Sequence, residues 1–487
     1  MPSETIDRRW IALAALVAAQ FMVVLDVAIV NVALPSIKTD LHFSEQSLQW
    51  VITAYAIMFG GFLLLGGRMA DLLGRRRLFI AGIALFTVSS LLAGFAWSAG
   101  SLITFRATQG LGGALLAPAA LSILTTTFAE GRERNIALGV WGAVSGSGAA
   151  AGVLLGGFLT SSLAWSWIFF INVPVGIALV AVSPFLLRES RAELGHRTFD
   201  FAGAFTVTSG LMLLVYAMTR AIEIGWGTAE TIGLLAGSAA LILSFVAIEL
   251  RSKAPLLPMR IFRLRTLTGA NVTSFLVGTA LFSQFFLGTL YMQQVLHYSA
   301  MKTGVAYLPL TLTIIVLAGV AQNLVTRVGV RRVLPVGLVL ATVALVLLAQ
   351  LPPDGKYFFD IFPAFVLSAI GLAFTFIPLT IAALMGVQES DAGVASGLFN
   401  TTQQIGGAVG LAAASTIAIT FTSHYVDSHP GASALSAPAL TYGFQITFYV
   451  LAGVSALAAV LSAVLIEPKA AEAEVVELEL TPVEEAA

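Results

Sequence analysis

Residues 66–77 read Gly-Gly-Arg-Met-Ala-Asp-Leu-Leu-Gly-Arg-Arg-Arg and place four arginines and one aspartate between two long apolar runs. Gly67 would let one helix approach a neighbour closely, and Gly74 can adopt the positive φ that ends a helix. Arg75 follows Asp71 by four residues, which is within ion-pair reach. The stretch therefore predicts a charged turn between two membrane helices. The alternative is a basic loop that only orients the protein in the membrane.

The composition defines the class of protein. Hydrophobic residues make up 58% of the 487 and charged residues 10%, against roughly 45–50% and 25% in soluble domains. The net charge of −1 excludes an electrostatic nucleic-acid binder, and the absence of cysteine excludes disulfides and thiolate metal sites. The sequence has no phosphate-binding loop of the ATPase type, and its five histidines fall in loops rather than in a metal-ligand pair on a helix. We therefore expect an integral membrane protein with no enzyme activity, no cofactor and no metal.

Apolar runs of about 20 residues, the length that a membrane helix needs, recur along the whole chain. They lack the short alternating strands of a barrel. The predicted spans are Trp10–Ala33, Leu48–Ala70, Leu78–Trp97, Ser101–Thr126, Ile136–Ser162, Trp167–Leu187, Phe201–Thr219, Glu230–Leu250, Leu267–Leu290, Gly304–Arg327, Val333–Gln350, Phe358–Met385, Val394–Phe421 and Tyr442–Ile466. The predicted fold class is an all-α integral membrane protein with 14 transmembrane helices.

Polar, basic segments divide these spans into groups of six, two and six. We predict an N-terminal six-helix bundle in residues 1–190 and a two-helix insert with basic cytoplasmic flanks in 191–256. A C-terminal six-helix bundle follows in 257–466. Residues 467–487 contain seven glutamates and one lysine and predict a disordered acidic tail.

An internal repeat indicates that the two six-helix bundles are pseudo-symmetric. Residues 326–332, Thr-Arg-Val-Gly-Val-Arg-Arg, take the place of 71–77 after the second span of the second bundle. The glycine-rich fifth span, 139–157, has a counterpart in 393–410. Repeated halves around a site at the middle of the membrane are the architecture of secondary transporters.

Lysine and arginine predict the orientation. With both termini inside, 20 of the 25 basic residues fall on the inner side and four on the outer side, and Arg106 lies within a span. This bias predicts a multi-pass protein of the inner, or plasma, membrane with both termini in the cytoplasm.

The spacing of the charged turn resembles the loop signature of the major facilitator superfamily between its second and third helices. The matching residues are Gly67, Arg68, Asp71, Gly74, Arg75 and Arg76. The resemblance implies that this loop is a cytoplasmic latch in a transporter whose halves rock against each other.

Two further runs resemble the fourteen-helix drug/proton antiporter branch of that superfamily. They are Leu25-Asp-Val-Ala-Ile-Val-Asn-Val-Ala-Leu-Pro35 in the first span and Leu102-Ile-Thr-Phe-Arg-Ala-Thr-Gln-Gly-Leu-Gly112 in the fourth. By this resemblance Arg106 takes part in proton transfer. Asp26 and Arg106 would each cost at least ~2.5–3.5 kcal/mol in a bilayer unless they face a polar interior or one another. We interpret them as the proton-coupling pair, and the alternative is a static salt bridge that fixes packing.

The fifth and sixth spans also resemble this branch, each with one departure. Gly152 and Gly156 match the antiporter motif, but Val153 stands where a proline is usual. In the sixth span Ser166 stands where arginine is usual. Close helix packing alone would also explain the glycines. The resemblance covers residues 8–466 and repeats in the right order.

Polar and aromatic residues on the spans that line the cavity of this fold are the candidates for substrate binding. They are Gln20, Asn31, Tyr55, Gln109, Phe282, Gln284, Phe285, Phe374, Phe376, Phe399, Asn400 and Gln403. An aromatic cavity with few polar groups suits an amphipathic or cationic organic molecule. For each phenylalanine, packing in the core or against lipid is the alternative.

These features together predict a proton-coupled antiporter for multidrug efflux. It would work by alternating access, as a monomer in the lipid bilayer, with protons and a small organic molecule as its partners. The alternative is a dedicated exporter of one endogenous metabolite, such as a self-made antibiotic.

Overall fold

A computed structural model describes residues 8–43, 45–48, 50–129, 131–191, 200–252 and 255–467. Over these residues the chain is all helical and has no strand. The predicted acidic tail lies outside the described residues except for Glu467.

The first bundle and the insert occupy the helices up to residue 249. They are α1 (Arg8–Asp40), α2 (Glu45–Leu48), α3 (Trp50–Leu73), α4 (Arg75–Gly94), α5 (Ala99–Thr127), α6 (Arg132–Ser162), α7 (Trp167–Phe170), α8 (Asn172–Leu186), α9 (Phe201–Ile224) and α10 (Ala229–Glu249).

The second bundle follows a short 3₁₀ segment at Met259–Arg263. Its helices are α11 (Arg265–Leu290), α12 (Ala300–Ala306), α13 (Leu308–Val328), α14 (Val330–Leu348), α15 (Phe362–Leu384), α16 (Ala392–Ser428) and α17 (Ala437–Leu465). Single π-helical turns at Tyr291–Val295 and Tyr357–Ile361 adjoin α11 and α15, and a 3₁₀ turn at Glu389–Asp391 precedes α16.

The predicted fold class is confirmed. Thirteen helices of the described part are long and apolar enough to cross a membrane, and α6, with 31 residues, provides the fourteenth span. The sixth and tenth spans are each broken into two helices, α7 with α8 and α12 with α13. Helix α1 continues past the predicted end at Ala33 to Asp40, with Pro35 inside it. Its 33 residues reach about 50 Å, so it extends beyond a hydrocarbon core of about 30 Å.

Glycines hold equivalent helix pairs together in the two bundles. A Cβ on Gly112 in α5 would lie 3.0 Å from the Gly82 carbonyl oxygen in α4, and a Cβ on Gly371 in α15 would lie 2.9 Å from the Gly337 carbonyl oxygen in α14. Because small residues allow backbones to approach, both pairs pack at close range.

The two bundles meet where α3 packs against α16 and where α6 packs against α13 and α15. The insert lies against the first of these seams: α9 contacts both α3 and α16, and α10 packs against α9. A positive φ at Gly74 and at Gly329 makes the turn at the same place in each bundle, between α3 and α4 and between α13 and α14. We call the face that carries Arg75, Arg76 and Arg77 the basic face.

Candidate functional site

Asp26 and Arg106 form an ion pair inside the first bundle. Helix α1 carries Asp26, helix α5 carries Arg106, and their side chains are 0% and 1% exposed. Nη1 of Arg106 lies 2.6 Å from Oδ2 of Asp26. Removing two charges from water is favourable only when they are paired and hydrogen-bonded, and this arrangement meets that condition.

Amide side chains from two other places in the chain complete the surroundings of the carboxylate. Gln109 Nε2 donates to Asp26 Oδ1 at 2.8 Å, and Asn172 Nδ2 donates to the same oxygen at 3.1 Å. Asn172 also donates to Ser90 Oγ, which in turn donates to the Phe169 carbonyl. Side chains of α5 and α8 therefore bind the carboxylate on α1, and α4 holds Asn172 through Ser90.

The guanidinium of Arg106 has partners on its other sides. Its Nε donates to the Val51 carbonyl at 3.1 Å and its Nη1 to Gln109 Oε1 at 2.6 Å. Its Cζ lies 4.3 Å from the centre of the Tyr55 ring, a cation–π distance. The buried Tyr55 hydroxyl has no hydrogen-bond partner among the described residues. It is therefore a polar group of this cluster that a water or a ligand can satisfy.

The glycines of α6 press that helix onto α1 beside Asp26. A Cβ on Gly152 would lie 2.8 Å from the Leu25 carbonyl oxygen, and one on Gly156 would lie 2.9 Å from the Ile29 carbonyl oxygen. The next residue, Val153, together with Leu154 touches Gly304 of α12 in the second bundle. The carboxylate is thus one helix away from the contact between the bundles.

On the basic face, Asp71 caps the start of α16. Its two oxygens accept from the backbone N–H groups of Gly393 and Val394, both at 3.1 Å. Arg75 binds Asp71 Oδ1 at 2.9 Å and also donates to the Glu389 carbonyl of the second bundle. A carboxylate at a helix N-terminus satisfies free N–H groups and matches the positive end of the helix dipole.

Glycine lets the same two helices touch at their backbones. A Cβ on Gly67 would lie 2.2 Å from the Gly393 carbonyl oxygen, and one on Gly397 would lie 2.9 Å from the Leu63 carbonyl oxygen. On this face the bundles are therefore in direct contact, and Gly67, Asp71 and Arg75 of the sequence motif lie in that contact.

The remaining motif arginines have different surroundings. The backbone N–H of Arg76 donates to Glu189 Oε1, and its side chain donates to the carbonyls of Pro184 and Leu187, which ties α4 to the end of α8. Arg68 is buried, and its Nη1 has no hydrogen-bond partner among the described residues.

The structure does not bring the predicted substrate-binding residues together at one place. Tyr55 and Gln109 belong to the ion-pair cluster. Asn31 is exposed and donates to the Val27 carbonyl of its own helix, and Asn400 likewise donates to the Ser396 carbonyl.

The other candidates lie in the second bundle, except for Gln20, which is buried in α1. Gln284 Nε2 donates to Ser368 Oγ at 2.6 Å beside a cavity of about 20 Å³, room for one water, that Thr375 and Ser455 also line. The ring of Phe285 stacks on Tyr307, 5.2 Å between centroids. Phe374 and Gln403 meet neighbouring glycines, Gly337 and Gly278, with their backbones.

The second bundle contains an uncharged counterpart of the ion-pair cluster. Counted back from the packing glycines, Arg106 lies six residues before Gly112, and Phe365 lies six residues before Gly371. Phe365 stacks on Tyr307 at 4.8 Å, as Arg106 stacks on Tyr55. Charge is therefore present at this position in one bundle and absent in the other.

Asn172 and Ser90 were not among the predicted site residues. Asn172 stands in the apolar run Ile171-Asn-Val-Pro174. An amide in such a run is costly unless it is bonded, so this was a usable signal. A serine in a membrane helix can bond its own backbone, so Ser90 carried no such signal.

A family model described as the Major Facilitator Superfamily matches residues 16–411. The chain belongs to the major facilitator superfamily. It is a multi-pass membrane transporter, not an enzyme.

Within this superfamily, relatives named for antibiotics match the chain over most of its length. The puromycin resistance protein pur8 of Streptomyces alboniger is 40% identical over 95% of this chain and 92% of its own. The cephamycin export protein CmcT of Amycolatopsis lactamdurans is 40% identical over 86% and 89%. The crystal structure of the human organic anion transporter MFSD10 (TETRAN) superimposes with a TM-score of 0.66. The superposition covers 94% of this chain and 100% of the MFSD10 chain at 15% sequence identity, and it shows that the two proteins share a fold.

Proposed function

We propose that this transporter exports amphipathic or cationic organic compounds in exchange for protons, by alternating access. The observation that carries the proposal is the buried ion pair of Asp26 and Arg106, a carboxylate and a guanidinium 2.6 Å apart and closed off from solvent. Ionisable groups inside a membrane protein are costly and mark ion or proton pathways.

The coupling step that we propose takes place at Asp26. When the bundles open towards the outside, the carboxylate takes up a proton and its ion pair with Arg106 is released. When they open towards the inside, Arg106 or a cationic substrate draws close and the proton leaves. Because proton and cation compete for one negative charge, binding of either disfavours the other.

The alternating movement would be controlled at the basic face. We place this face in the cytoplasm of a bacterial-type plasma membrane, with both termini inside, because 20 of 25 basic residues fall on that side. Asp71 and Arg75 then latch the inward-closed arrangement through the start of α16. Breaking that contact opens the substrate path to the cytoplasm.

Two of the relatives favour a narrower substrate range than multidrug export. Pur8 and CmcT are each named for one antibiotic, which supports a dedicated exporter of a self-made antibiotic as the second candidate. Other relatives are named for multidrug resistance, including Stp of Mycobacterium tuberculosis, at 31% identity over 84% of this chain. Both candidates share the same coupling chemistry.

The test is transport by purified protein in vesicles with an imposed pH gradient. Ethidium, puromycin and a cephamycin are the probes, and vesicles whose gradient has been collapsed are the control. Uptake of a probe that disappears with the gradient supports proton antiport, and transport of ethidium as well as an antibiotic supports a broad range. Transport that is the same with and without the gradient contradicts the proposal.

A further inference from the structure

The insert is connected to the basic face by charged residues that the superfamily motif does not include. Glu249 ends α10 and is buried; its Oε1 accepts from the Leu256 N–H at 3.0 Å and its Oε2 from the Leu257 N–H at 3.1 Å. Leu256 and Leu257 are themselves buried. The carboxylate therefore fixes the path of the chain as it leaves the insert for the second bundle.

Three residues later the same segment reaches α16. Arg260 Nη2 binds both carboxylate oxygens of Asp391, at 2.9 and 3.2 Å. The Asp391 side chain is 7% exposed, and its residue directly precedes α16. One nitrogen contacts both oxygens of a buried carboxylate, while the arginine side chain is 56% exposed, so the pair lies at the rim of the buried contact.

The Arg260–Asp391 pair holds the same turn of chain, at the start of α16, as the Asp71 latch. Glu389, whose carbonyl accepts from Arg75, is two residues before Asp391, and Gly393, whose N–H donates to Asp71, is two residues after it. The buried guanidinium of Arg68 lies within electrostatic reach of Asp71, Asp391 and Glu249. One network thus joins the first bundle, the insert and the start of α16.

We propose that Arg260, held in place by Glu249, is a second latch that stabilises the closed basic face by gripping Asp391. The insert is then a working part of the gate and not only a lateral addition. This proposal rests on the proposed function for its role in transport, but not for its effect on the closed face. In this proposal the segment that carries Arg260 stays with the insert, which packs on α3, so opening the face takes the start of α16 away from both Asp71 and Arg260. Removing either contact therefore shifts the population towards the open arrangement.

The chain has no cysteine, so a single introduced thiol reports on the gate. Ser396 is fully buried in the first turns of α16, and Ser396→Cys changes one atom. The full-length protein in detergent is treated with a fluorescent maleimide, and the labelling rate is measured together with the melting temperature. Arg260→Gln on this background should raise the labelling rate about fivefold, since an ion pair of this kind is worth about 1 kcal/mol. Arg260→Lys should raise it less.

The matched control is Arg263→Gln, the same change of charge at an exposed residue of the same 3₁₀ segment. Equal labelling rates for Arg260→Gln and Arg263→Gln would overturn the proposal. Glu249→Gln should also raise the labelling rate. A glutamine has one amide oxygen, so only one of the two backbone N–H groups that Glu249 binds keeps its acceptor. If Glu249→Gln leaves the rate unchanged, the insert does not hold the latch.

Transport by the same variants separates this proposal from the proposed function. If Arg260→Gln is labelled faster but the parent protein shows no proton-driven transport, the latch is supported and the antiport mechanism is contradicted. If the labelling rate of Arg260→Gln is unchanged and the parent protein does show proton-driven transport, the latch is contradicted and the antiport mechanism is supported.

Discussion

Asp26 accepts from three side chains, and replacing it tests the coupling directly. Asp26→Asn keeps a side chain of the same shape that Gln109 and Asn172 can still contact, but it removes the charge that Arg106 and a proton share. We expect proton-driven export to be lost while folded protein remains in the membrane. The measurement is proton release when substrate is added to purified protein in detergent.

Asp40→Asn is the matched control for that experiment. Asp40 lies at the far end of the same helix, is exposed, and accepts from Trp165 Nε1 at 2.7 Å. Its variant should release protons like the parent. Undiminished release from Asp26→Asn would show that another group carries the proton.

Arg106 offers a graded test of the same pair. Arg106→Ala leaves Asp26 buried without its counter-charge, and loss of one partner of a buried pair costs about 3–5 kcal/mol. We expect this variant to transport poorly and to melt at a lower temperature. Arg106→Lys keeps the charge and should retain more transport, although a lysine cannot reproduce both the Val51 and the Gln109 bonds. Equal transport by the two variants would contradict a coupling role for the charge.

Asp71 tests the gate at residue scale. Asp71→Asn retains one acceptor but loses the charge that binds Arg75, so the cap on α16 should weaken by about 1–3 kcal/mol. We expect the initial rate of transport to fall about tenfold or more, with expression and substrate binding largely kept. Asp427→Asn, at the exposed far end of α16, is the control. Normal turnover by Asp71→Asn would rule out the latch.

The two charged sites could be predicted from sequence because a charge in an apolar helix needs a partner. That requirement singled out Asp26 and Arg106, but not the geometry of their shell. Asn172 reaches Asp26 from α8, a separate helix, and such distances are set by tertiary packing. For the same reason Asn31, five residues beyond Asp26, could not be distinguished from a site residue until its exposure was known.

At the scale of elements, the contact between α3 and α16 depends on glycines, whose lack of a side chain lets the two backbones touch. Gly67→Ala would place a methyl group against the Gly393 carbonyl, so the helices must separate or shift. We expect faster maleimide labelling of the thiol in the Ser396→Cys background and a lower melting temperature. The control is Gly233→Ala in α10, where a Cβ meets nothing within 4 Å. That change should be neutral or stabilise by about 0.5–1 kcal/mol. Equal behaviour of the two variants would show that the seam is not tightly packed.

The number and order of the spans were predictable, and the exact places of their interruptions were not predicted. Hydropathy follows the bilayer, which requires long apolar runs but does not fix where a helix bends. The break between α12 and α13 falls at Tyr307, whose hydroxyl donates to the Phe285 carbonyl. That contact comes from a distant part of the chain. Pro309, in the first turn of α13, is a local signal for a break near Tyr307, whereas the contact with Phe285 has no local signal.

Across the whole molecule, charge and aromatic stacking are divided between the bundles. The first bundle places Arg106 on Tyr55, and the second places Phe365 on Tyr307. We expect substitutions in the second bundle to change substrate affinity without changing the coupling. Gln284→Leu, which removes the bond to Ser368, should raise KM about fivefold for a polar substrate and leave the protons released per substrate unchanged. A loss of proton release in this variant would contradict the division.

The position of α9 against both α3 and α16 has a consequence for how the protein is made. The ribosome completes α9 at Ile224 and begins α16 at Ala392. At about 5–20 residues per second, this leaves on the order of ten to thirty seconds in which α9 can already rest on α3 while its second partner does not exist. During biogenesis α9 therefore already presents the surface against which α16 packs once α16 has been synthesised. The order of synthesis matches the order in which the seam can be built.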